Sequence, residues 1–385
     1  MHKLMVGGTI LEHELSELRL LVERQTGILL DCPNSALTAH LADYIESQQL
    51  DSAAPVLERL RAGDQDPTAM PQFLDGLLNA NTGFFRHPGA MNALGRQVLP
   101  QLYARKAGEG PSTLRIWSAG CSTGEEAYSI AMTICDALPG IPNVTGSCNG
   151  ASNGNGSNGN GNGSKDKDVK EKNGATRNGG VADTLLPAPT CGVNQATNQA
   201  TNQGAKDWSI HIVGSDLLPS AIEVAERGLY PQSALVGLPP ATIRASFSKI
   251  GSANIPANGA PAAAQIASQN GSNGSSSPNG SANGSHLLVK PRLRSLVTFN
   301  TMNLAKPVYI GRFDCIFCMD VLPHLSRAQR TALVERLHLY LEPGGYLFLS
   351  QTEKLCAPNL NFRPETFDGY TFHRKPLAAS AAYGR

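Results

Sequence analysis

The pattern of apolar and polar positions divides the chain into a helical first part and a second part in which strands alternate with helices. Between residues 11 and 30, apolar residues from Leu15 to Val22 recur at the spacing of one helix face, and Gly27 then provides a natural stop. Further helices are predicted over residues 35–48, 53–62 and 69–80. Residues 1–100 are therefore expected to form a small all-α N-terminal domain.

After residue 100, short β-type runs are each followed by a helical segment. Strands are predicted over residues 114–120, 208–216, 313–322 and 344–353, with strand-like pieces over 288–300 and a closing segment over 362–375. Helices are predicted over residues 125–138, 218–230 and 326–341. This alternation predicts an α/β domain over residues 101–385, built on a doubly wound, mostly parallel sheet. Ligands bind such sheets at the carboxyl ends of the strands, where the strand order reverses.

Two blocks interrupt this pattern and hold much of the glycine. Residues 142–206 and 251–285 are rich in Asn, Gly and Ser and contain no Phe, Tyr or Trp. Such segments cannot bury enough apolar surface to offset the entropy of ordering, so both are predicted to be disordered insertions. Without them roughly 285 residues remain, enough for one small helical domain and one α/β domain.

Charge and cysteine content exclude several classes of protein. With 32 Lys and Arg against 31 Asp and Glu, the chain has no net field that would favour nucleic acid. No apolar run reaches the roughly 18 residues of a membrane span and no signal-peptide pattern is present, so we expect a cytoplasmic protein without direct membrane insertion. The eight cysteines are then reduced thiols. Cys315 and Cys318 form a C-x-x-C inside an apolar run, which favours buried strand cysteines over zinc, and no metal is expected.

The strongest chemical signal is the segment Trp117–Ser129, in which a strand enters a loop of small residues and continues into a helix. The phosphate-binding GxxxxGK[ST] and dinucleotide-binding GxGxxG patterns are both absent. Glu125 and Glu126 at the helix start disfavour a phosphate and favour a cationic or hydroxyl-rich ligand, a description that S-adenosylmethionine fits. Asp216, at the end of the next strand, is placed to accept hydrogen bonds from hydroxyls. The alternative is that these three acids merely cap helices.

A second polar segment, Asn79–Pro88, carries two aromatic residues followed by an arginine. Phe84 and Phe85 are explained by core packing at a helix end. Arg86 has no obvious local partner, which favours a functional role.

Several segments resemble one family in their order and spacing. They read TGFFR, IWSAGCSTGEEAYSIAM, GSDLLPSAIEVAERGLYP, MNL, FDCIFCMDVL and LEPGGYLFLSQTE, and they are similar to the CheR-type chemotaxis protein-glutamate O-methyltransferases. The resemblance covers nearly all of the chain outside the two blocks. It implies a Rossmann-like S-adenosylmethionine-dependent methyltransferase domain with a small β-subdomain, and methylation of glutamate side chains on chemoreceptor cytoplasmic domains for sensory adaptation. A monomer is expected.

The resemblance also implies the site residues. The cofactor contacts fall on Thr82, Arg86, Glu126, Asp216, Asn303, Leu304, Met319 and Asp320. Arg86 and His324 are the candidate catalytic residues, Arg86 to orient the incoming carboxylate or brace the cofactor edge, and His324 to hydrogen-bond the same carboxylate. A surface histidine without a catalytic role is the alternative for His324.

The chain departs from the family pattern at several positions. Ala80, Met319, Asp320 and His324 stand where the family usually has Asn, Arg, Asn and Tyr, and the GHSE segment of the family corresponds to 350–353. The stretch over residues 34–50 contains no Arg or Lys, although the matching helix of the family is typically basic. These departures leave open a second function, a non-catalytic or substrate-shifted S-adenosylmethionine-binding regulatory or scaffold protein of the same fold. A pyridine-nucleotide dehydrogenase is disfavoured because its glycine fingerprint is missing.

Overall fold

The described residues of the computed structural model are 10–78, 82–106, 112–138, 208–250, 286–307, 310–355, 357 and 359–377. They all belong to one unit of the chain. The disorder predicted for residues 142–206 and 251–285 falls outside the described residues, as does Ala80.

The first part of the chain is helical, as predicted. Its helices are α1 (Glu12–Thr26), α2 (Asn34–Ser47), α3 (Ala53–Arg61), α4 (Ala69–Leu74), α5 (Pro88–Ala93) and α6 (Leu99–Lys106). A π-helical segment joins α5 to α6. Helix α1 ends at Gly27, whose φ of 73° is the left-handed conformation expected of a helix stop. The helix predicted over residues 69–80 is too long, because Asp75 adopts an extended backbone and Gly76 a positive φ of 79°.

Five further helices accompany the strands in the part of the chain that the structure describes. They are α7 (Glu125–Ala137), α8 (Pro219–Arg227), α9 (Pro240–Ser246), α10 (Pro291–Arg294) and α11 (Arg327–Tyr340). Helix α8 shows how closely local signals fix the boundaries, since Pro219 occupies its first turn and Gly228 follows it with a φ of 60°.

Ten strands form two sheets within the described residues. They are β1 (Ser112–Ala119), β2 (Trp208–Asp216), β3 (Leu229–Pro231), β4 (Phe247–Lys249), β5 (His286–Val289), β6 (Val297–Thr301), β7 (Phe313–Phe317), β8 (Leu341–Phe348), β9 (Arg363–Phe367) and β10 (Tyr370–Arg374). The seven-stranded sheet has the order β6-β2-β1-β7-β8-β10-β9, parallel except for the hairpin β9–β10 at one edge. A small antiparallel sheet has the order β3-β5-β4. These sheets confirm the predicted Rossmann-like α/β fold with a small β-subdomain.

Side chains alternate across the large sheet into two cores. Ile116, Cys315 and Phe317 face the core that includes α7. Trp117 and Cys318 face the core that includes α11. The two cysteines of the C-x-x-C therefore lie buried on opposite sides of the sheet, which agrees with strand cysteines.

The strand predicted over residues 313–322 is shorter than its apolar run. Strand β7 ends at Phe317, and the chain then turns through Asp320, whose φ is +58°, into a 3₁₀ turn over Leu322–His324. Cys318, Met319 and Leu322 are buried at this turn and Val321 is half-buried, so the hydrophobicity of the run reflects burial and not strand geometry.

The end of α1 is attached to the turn that follows β7. Ile28 and Leu325 form an isolated antiparallel bridge. The Leu29 N–H donates to the His324 carbonyl at 2.8 Å, and the Ser326 N–H donates to the Gly27 carbonyl at 3.1 Å. We call this pairing of residues 27–29 with residues 324–326 the clasp. It fixes the helical part against the edge of the sheet at which the strands end.

Candidate functional site

A cavity of about 510 Å³ lies at the carboxyl ends of β1, β2 and β7, where the strand order reverses. The structure places every site residue predicted from the sequence on its wall, namely Thr82, Arg86, Glu126, Asp216, Asn303, Leu304, Met319, Asp320 and His324. Thr26 and Ile28 at the end of α1 also line the cavity. The helical part therefore contributes to the site.

The loop after β1 requires glycine at two positions. Gly120 has a φ of +87°, and a Cβ there would lie 2.5 Å from Cγ2 of Val321. Gly124, which precedes α7, has a φ of +94°, and a Cβ there would lie 2.7 Å from that of Ala225. The missing side chains let the backbone lie close to the turn after β7 and to α8.

Glu126 is a partly buried acid on the cavity wall. Its Oε1 accepts a hydrogen bond of 2.7 Å from the Ser118 hydroxyl. Burial raises the pKa of Glu126 to about 7; the nearby Asp320 and Glu353 add to this, while the Ser118 hydrogen bond and the Arg86 guanidinium oppose it. The carboxyl group is therefore ready to ionise near neutral pH when a cation approaches.

Glu125 connects the start of α7 to the segment before α5. It is buried, and its Oε2 accepts hydrogen bonds from the Thr123 hydroxyl at 2.7 Å and the Thr82 hydroxyl at 3.4 Å. Burial raises its pKa. The Phe85 N–H donates to the Ser129 hydroxyl at 2.9 Å. These contacts position the turn that carries Thr82 at the cavity.

Asp216 is the last residue of β2, and each of its carboxylate oxygens accepts a hydrogen bond from a backbone N–H group. Its Oδ2 accepts the Ser122 N–H at 2.8 Å, and its Oδ1 accepts the Leu218 N–H at 3.1 Å. Burial raises the pKa of Asp216. The hydrogen bond from Leu218 agrees with a capping role of Asp216 before α8. A capping role does not explain the hydrogen bond from Ser122 or the position of Asp216 on the cavity wall. Each oxygen retains lone pairs for ligand hydroxyls.

Arg86 has a partner that the local sequence does not reveal. Its Nη2 lies 3.2 Å from Oδ2 of Asp320, and the same Oδ2 lies 2.9 Å from Nε2 of His87. His87 was not among the site residues predicted from the sequence. The only signal for it was its position next to Arg86 in the TGFFRHP segment.

Glu353 is the second residue that the site prediction missed. Its Oε2 accepts the N–H groups of Asp320 at 3.1 Å and Ser350 at 2.8 Å, and its Oε1 accepts the Leu322 N–H at 2.9 Å. One carboxylate thus holds the turn after β7 against the end of β8. The match to the final Glu of GHSE was the available signal.

Two of the remaining predicted residues have side chains engaged within the protein. The Asn303 amide donates to the Gln25 carbonyl at 2.8 Å and accepts the Ala305 N–H at 2.9 Å. The buried Met319 places its sulfur 3.9 Å from the Tyr370 hydroxyl. Both line the cavity.

His324 lies at the exposed rim of the cavity. Its backbone carbonyl belongs to the clasp. The side chain is available to a ligand but is not fixed by a described neighbour.

The cavity wall is acidic overall. Its described lining residues include three carboxylic acids, Glu126, Asp216 and Asp320, against one guanidinium, that of Arg86. Apolar groups such as Met91 and Leu217 complete the wall. S-adenosylmethionine carries a sulfonium, an ammonium and ribose hydroxyls, and this set of donors and charges fits the acids. Among the described residues, no group of three or more His, Cys, Asp or Glu side chains is arranged to hold a metal.

Comparisons with known proteins indicate a methyltransferase. A model of the CheR methyltransferase, SAM binding domain, matches residues 80–147 and 276–370. The matched segments include the predicted site residues except Asp216, which lies between them. The match confirms S-adenosylmethionine as the cofactor.

Curated relatives match over most of their length. Chemotaxis protein methyltransferase 1 of Pseudomonas aeruginosa is 25% identical over 90% of this chain and 95% of its own. A chemotaxis protein methyltransferase of Vibrio parahaemolyticus is 23% identical over 92% of this chain and 93% of its own, and one of Pseudomonas putida is 23% identical over 89% and 90%. The resemblance predicted from the sequence motifs is confirmed. Among the described helices, none has both the length and the apolar character needed to span a membrane.

Proposed function

We propose that this chain, a relative of the CheR methyltransferases, transfers methyl groups from S-adenosylmethionine to glutamate side chains on the cytoplasmic domains of chemoreceptors. The product is a glutamate methyl ester that serves sensory adaptation. The names of the curated relatives support the chemotactic setting. We further propose that the protein acts as a monomer.

The observation that carries this proposal is the acidic cavity at the strand ends. Glu126, Asp216 and Asp320 surround a space in which Arg86, the one guanidinium among the described lining residues, is already paired with Asp320. Such a site favours a cationic ligand with hydroxyls and disfavours a phosphate. Glu126 and Asp216 would hold the cofactor, with Asp216 accepting from hydroxyls and Glu126 stabilising positive charge.

The transfer itself requires alignment more than acid–base chemistry. The sulfonium of the bound cofactor supplies an electrophilic methyl group. A glutamate with an ordinary pKa near 4.3 is ionised at pH 7, so the chain needs no general base. Arg86 would orient the incoming carboxylate, and the apolar wall formed by Phe85, Leu217 and Met319 would exclude water from a transition state in which charge is being neutralised.

A specific observation keeps the second candidate function open. Helix α2 carries Asp43 and Glu46 and no Arg or Lys, and Met319 and Asp320 replace the Arg and Asn of the family pattern. A protein of this fold that binds the cofactor but methylates a different target, or none, would be consistent with these changes.

The deciding experiment incubates the protein with S-adenosylmethionine labelled on its methyl group and with receptor cytoplasmic domains. Base-labile label on the receptor, abolished when the target glutamates are changed to alanine, would support the proposal. Cofactor binding in calorimetry without any base-labile label would overturn the enzyme assignment and favour the second candidate.

A further inference from the structure

His87 and Asp320 lie 233 residues apart along the chain and meet at the cavity. His87 is held in place by its backbone, because its carbonyl accepts the N–H groups of Ala90 and Met91 at the start of α5. Asp320 is held by Glu353, whose carboxylate accepts a hydrogen bond from the Asp320 backbone N–H. Neither contact involves a functional group of the two side chains, which are therefore presented to each other by two separately fixed backbones.

One oxygen of Asp320 contacts both His87 and Arg86. Oδ2 of Asp320 lies 2.9 Å from His87 Nε2 and 3.2 Å from Arg86 Nη2, whereas Oδ1 has no hydrogen bond with another described residue. Arg86 pairs only through Nη2 among the described residues, so Nε and Nη1 remain available on a side chain that is 39% exposed. A guanidinium anchored at one nitrogen has its remaining donors held in a limited range of directions.

We propose that His87 is a positioning residue that acts through Asp320 to hold the Arg86 guanidinium where its free donors can bind a carboxylate. The proposed reaction involves two carboxylates that Arg86 could bind, that of the acceptor glutamate and that of the amino-acid end of the cofactor. The experiment below distinguishes between them. This inference rests on the proposed function for its substrate but not for its geometry.

Arg86 and His87 contact the same carboxylate oxygen, and each contact helps to fix the Asp320 side chain. Without His87, the Asp320 side chain loses its shorter hydrogen bond and can rotate away from Arg86. The guanidinium would then lose its fixed direction, and orientation of a bound carboxylate would weaken although Arg86 is still present. His87 should therefore matter only while Arg86 is there.

The test is a double-mutant cycle with full-length wild type, His87→Ala, Arg86→Ala and the double variant. With receptor as substrate, we expect His87→Ala to lower kcat/KM about fivefold and to have no further effect in the Arg86→Ala background. A raised KM for the receptor would assign the carboxylate to the acceptor, and a weakened Kd for S-adenosylhomocysteine would assign it to the cofactor. His87→Gln, whose Nε2 can still donate to Asp320, should restore activity to within about twofold of wild type.

A second measurement does not require methyl transfer. Arg86 lowers the pKa of Glu126, and the other charged groups that act on Glu126 are Asp320 and Glu353. If His87 holds Arg86 in place, His87→Ala should move the pH midpoint of S-adenosylmethionine affinity upward by about half a unit, in the same direction as Arg86→Ala, and the double variant should match Arg86→Ala.

A second histidine provides the control for both measurements. His211→Ala changes an exposed imidazole on β2, away from the cavity, and should alter neither measurement. Additive effects in the cycle, or a His87→Ala protein with wild-type kinetics and midpoint, would overturn the inference. If the wild-type protein transferred no methyl group, that result would count against the proposed function. The pH midpoints of cofactor affinity would then decide whether His87 positions Arg86.

Discussion

Glu126 offers the sharpest test of the electrostatics of the cavity. Burial raises the pKa of this acid to about 7, so near neutral pH it is half protonated before a ligand binds. A cationic ligand favours the ionised form, so its binding should lower this pKa and release a proton. Affinity should then decrease as the pH falls below about 7.

The magnitude follows from the ionised fraction of the free protein. With a pKa of about 7, about nine-tenths of Glu126 is ionised at pH 8 and about one-tenth at pH 6. If only the ionised form binds well, the Kd for S-adenosylmethionine should increase about tenfold between these pH values, which corresponds to about 1.4 kcal/mol.

The assay is isothermal titration calorimetry of wild type and Glu126→Gln at pH 6, 7 and 8. Any titration of the cofactor, or of Asp216, is common to both proteins, so the difference between them reports Glu126. We expect Glu126→Gln to bind more weakly than wild type at pH 8 and to show a flatter pH dependence. Glu335→Gln, on the exposed face of α11, is the matched control and should follow wild type.

Stability of the ligand-free protein should change in the opposite sense. Because the folded pKa of Glu126 lies above its ordinary value, the native state binds the extra proton between about pH 4.5 and 7. The contribution of this group to stability is fully present below that window and is lost as the pH rises through about 7. The melting temperature of wild type should therefore fall relative to Glu126→Gln over this range. Parallel pH profiles of wild type and Glu126→Gln, in both affinity and melting temperature, would refute the reasoning.

Three further variants test the surrounding framework. Asp216→Ala should weaken cofactor binding in calorimetry about tenfold or more, because it removes the acceptor for ligand hydroxyls, whereas wild-type affinity would remove this acid from the site. Gly120→Ala should lower the free energy of unfolding by about 1–3 kcal/mol through its positive φ and its contact with Val321, and Gly237→Ala, with a φ of +92° and open space around its Cβ, should cost less in the same denaturation assay. Glu353→Ala should destabilise the fold by about 1–3 kcal/mol in urea titration, since three backbone N–H groups lose their acceptor; a smaller effect than that of Gly237→Ala would contradict the bracing role.

Local signals in the sequence were sufficient for most of the elements. The start of α8 at Pro219 and the stop of α1 at Gly27 depend on backbone preferences of single residues, which a sequence displays directly. The ends of α4 and β7 were predicted too late, because their apolar runs continue past the last hydrogen-bonded residue. At β7 the positive φ of Asp320 ends the strand, and this conformation depends on Glu353 far along the chain.

The site divides in the same way. The resemblance located residues at or just beyond the carboxyl ends of strands, such as Asp216 at the end of β2 and Glu126 in the first turn of α7. The fold brings these ends together because the strands are parallel. It did not reveal that Arg86 and His87 contact the same oxygen of Asp320, nor that Ile28 lines the cavity. Both facts arise from contacts between distant segments, for which no local pattern exists.

The clasp has a consequence for the order in which the protein folds. The neighbouring contact between Asn303 and the Gln25 carbonyl joins residues that are 278 positions apart, and the residues paired in the clasp lie still farther apart. Closing loops of this length is entropically costly and slow, so these contacts should form after the sheet has assembled. The cavity then becomes complete only in the last stage of folding, and cofactor binding would report that the first and last thirds of the chain have docked.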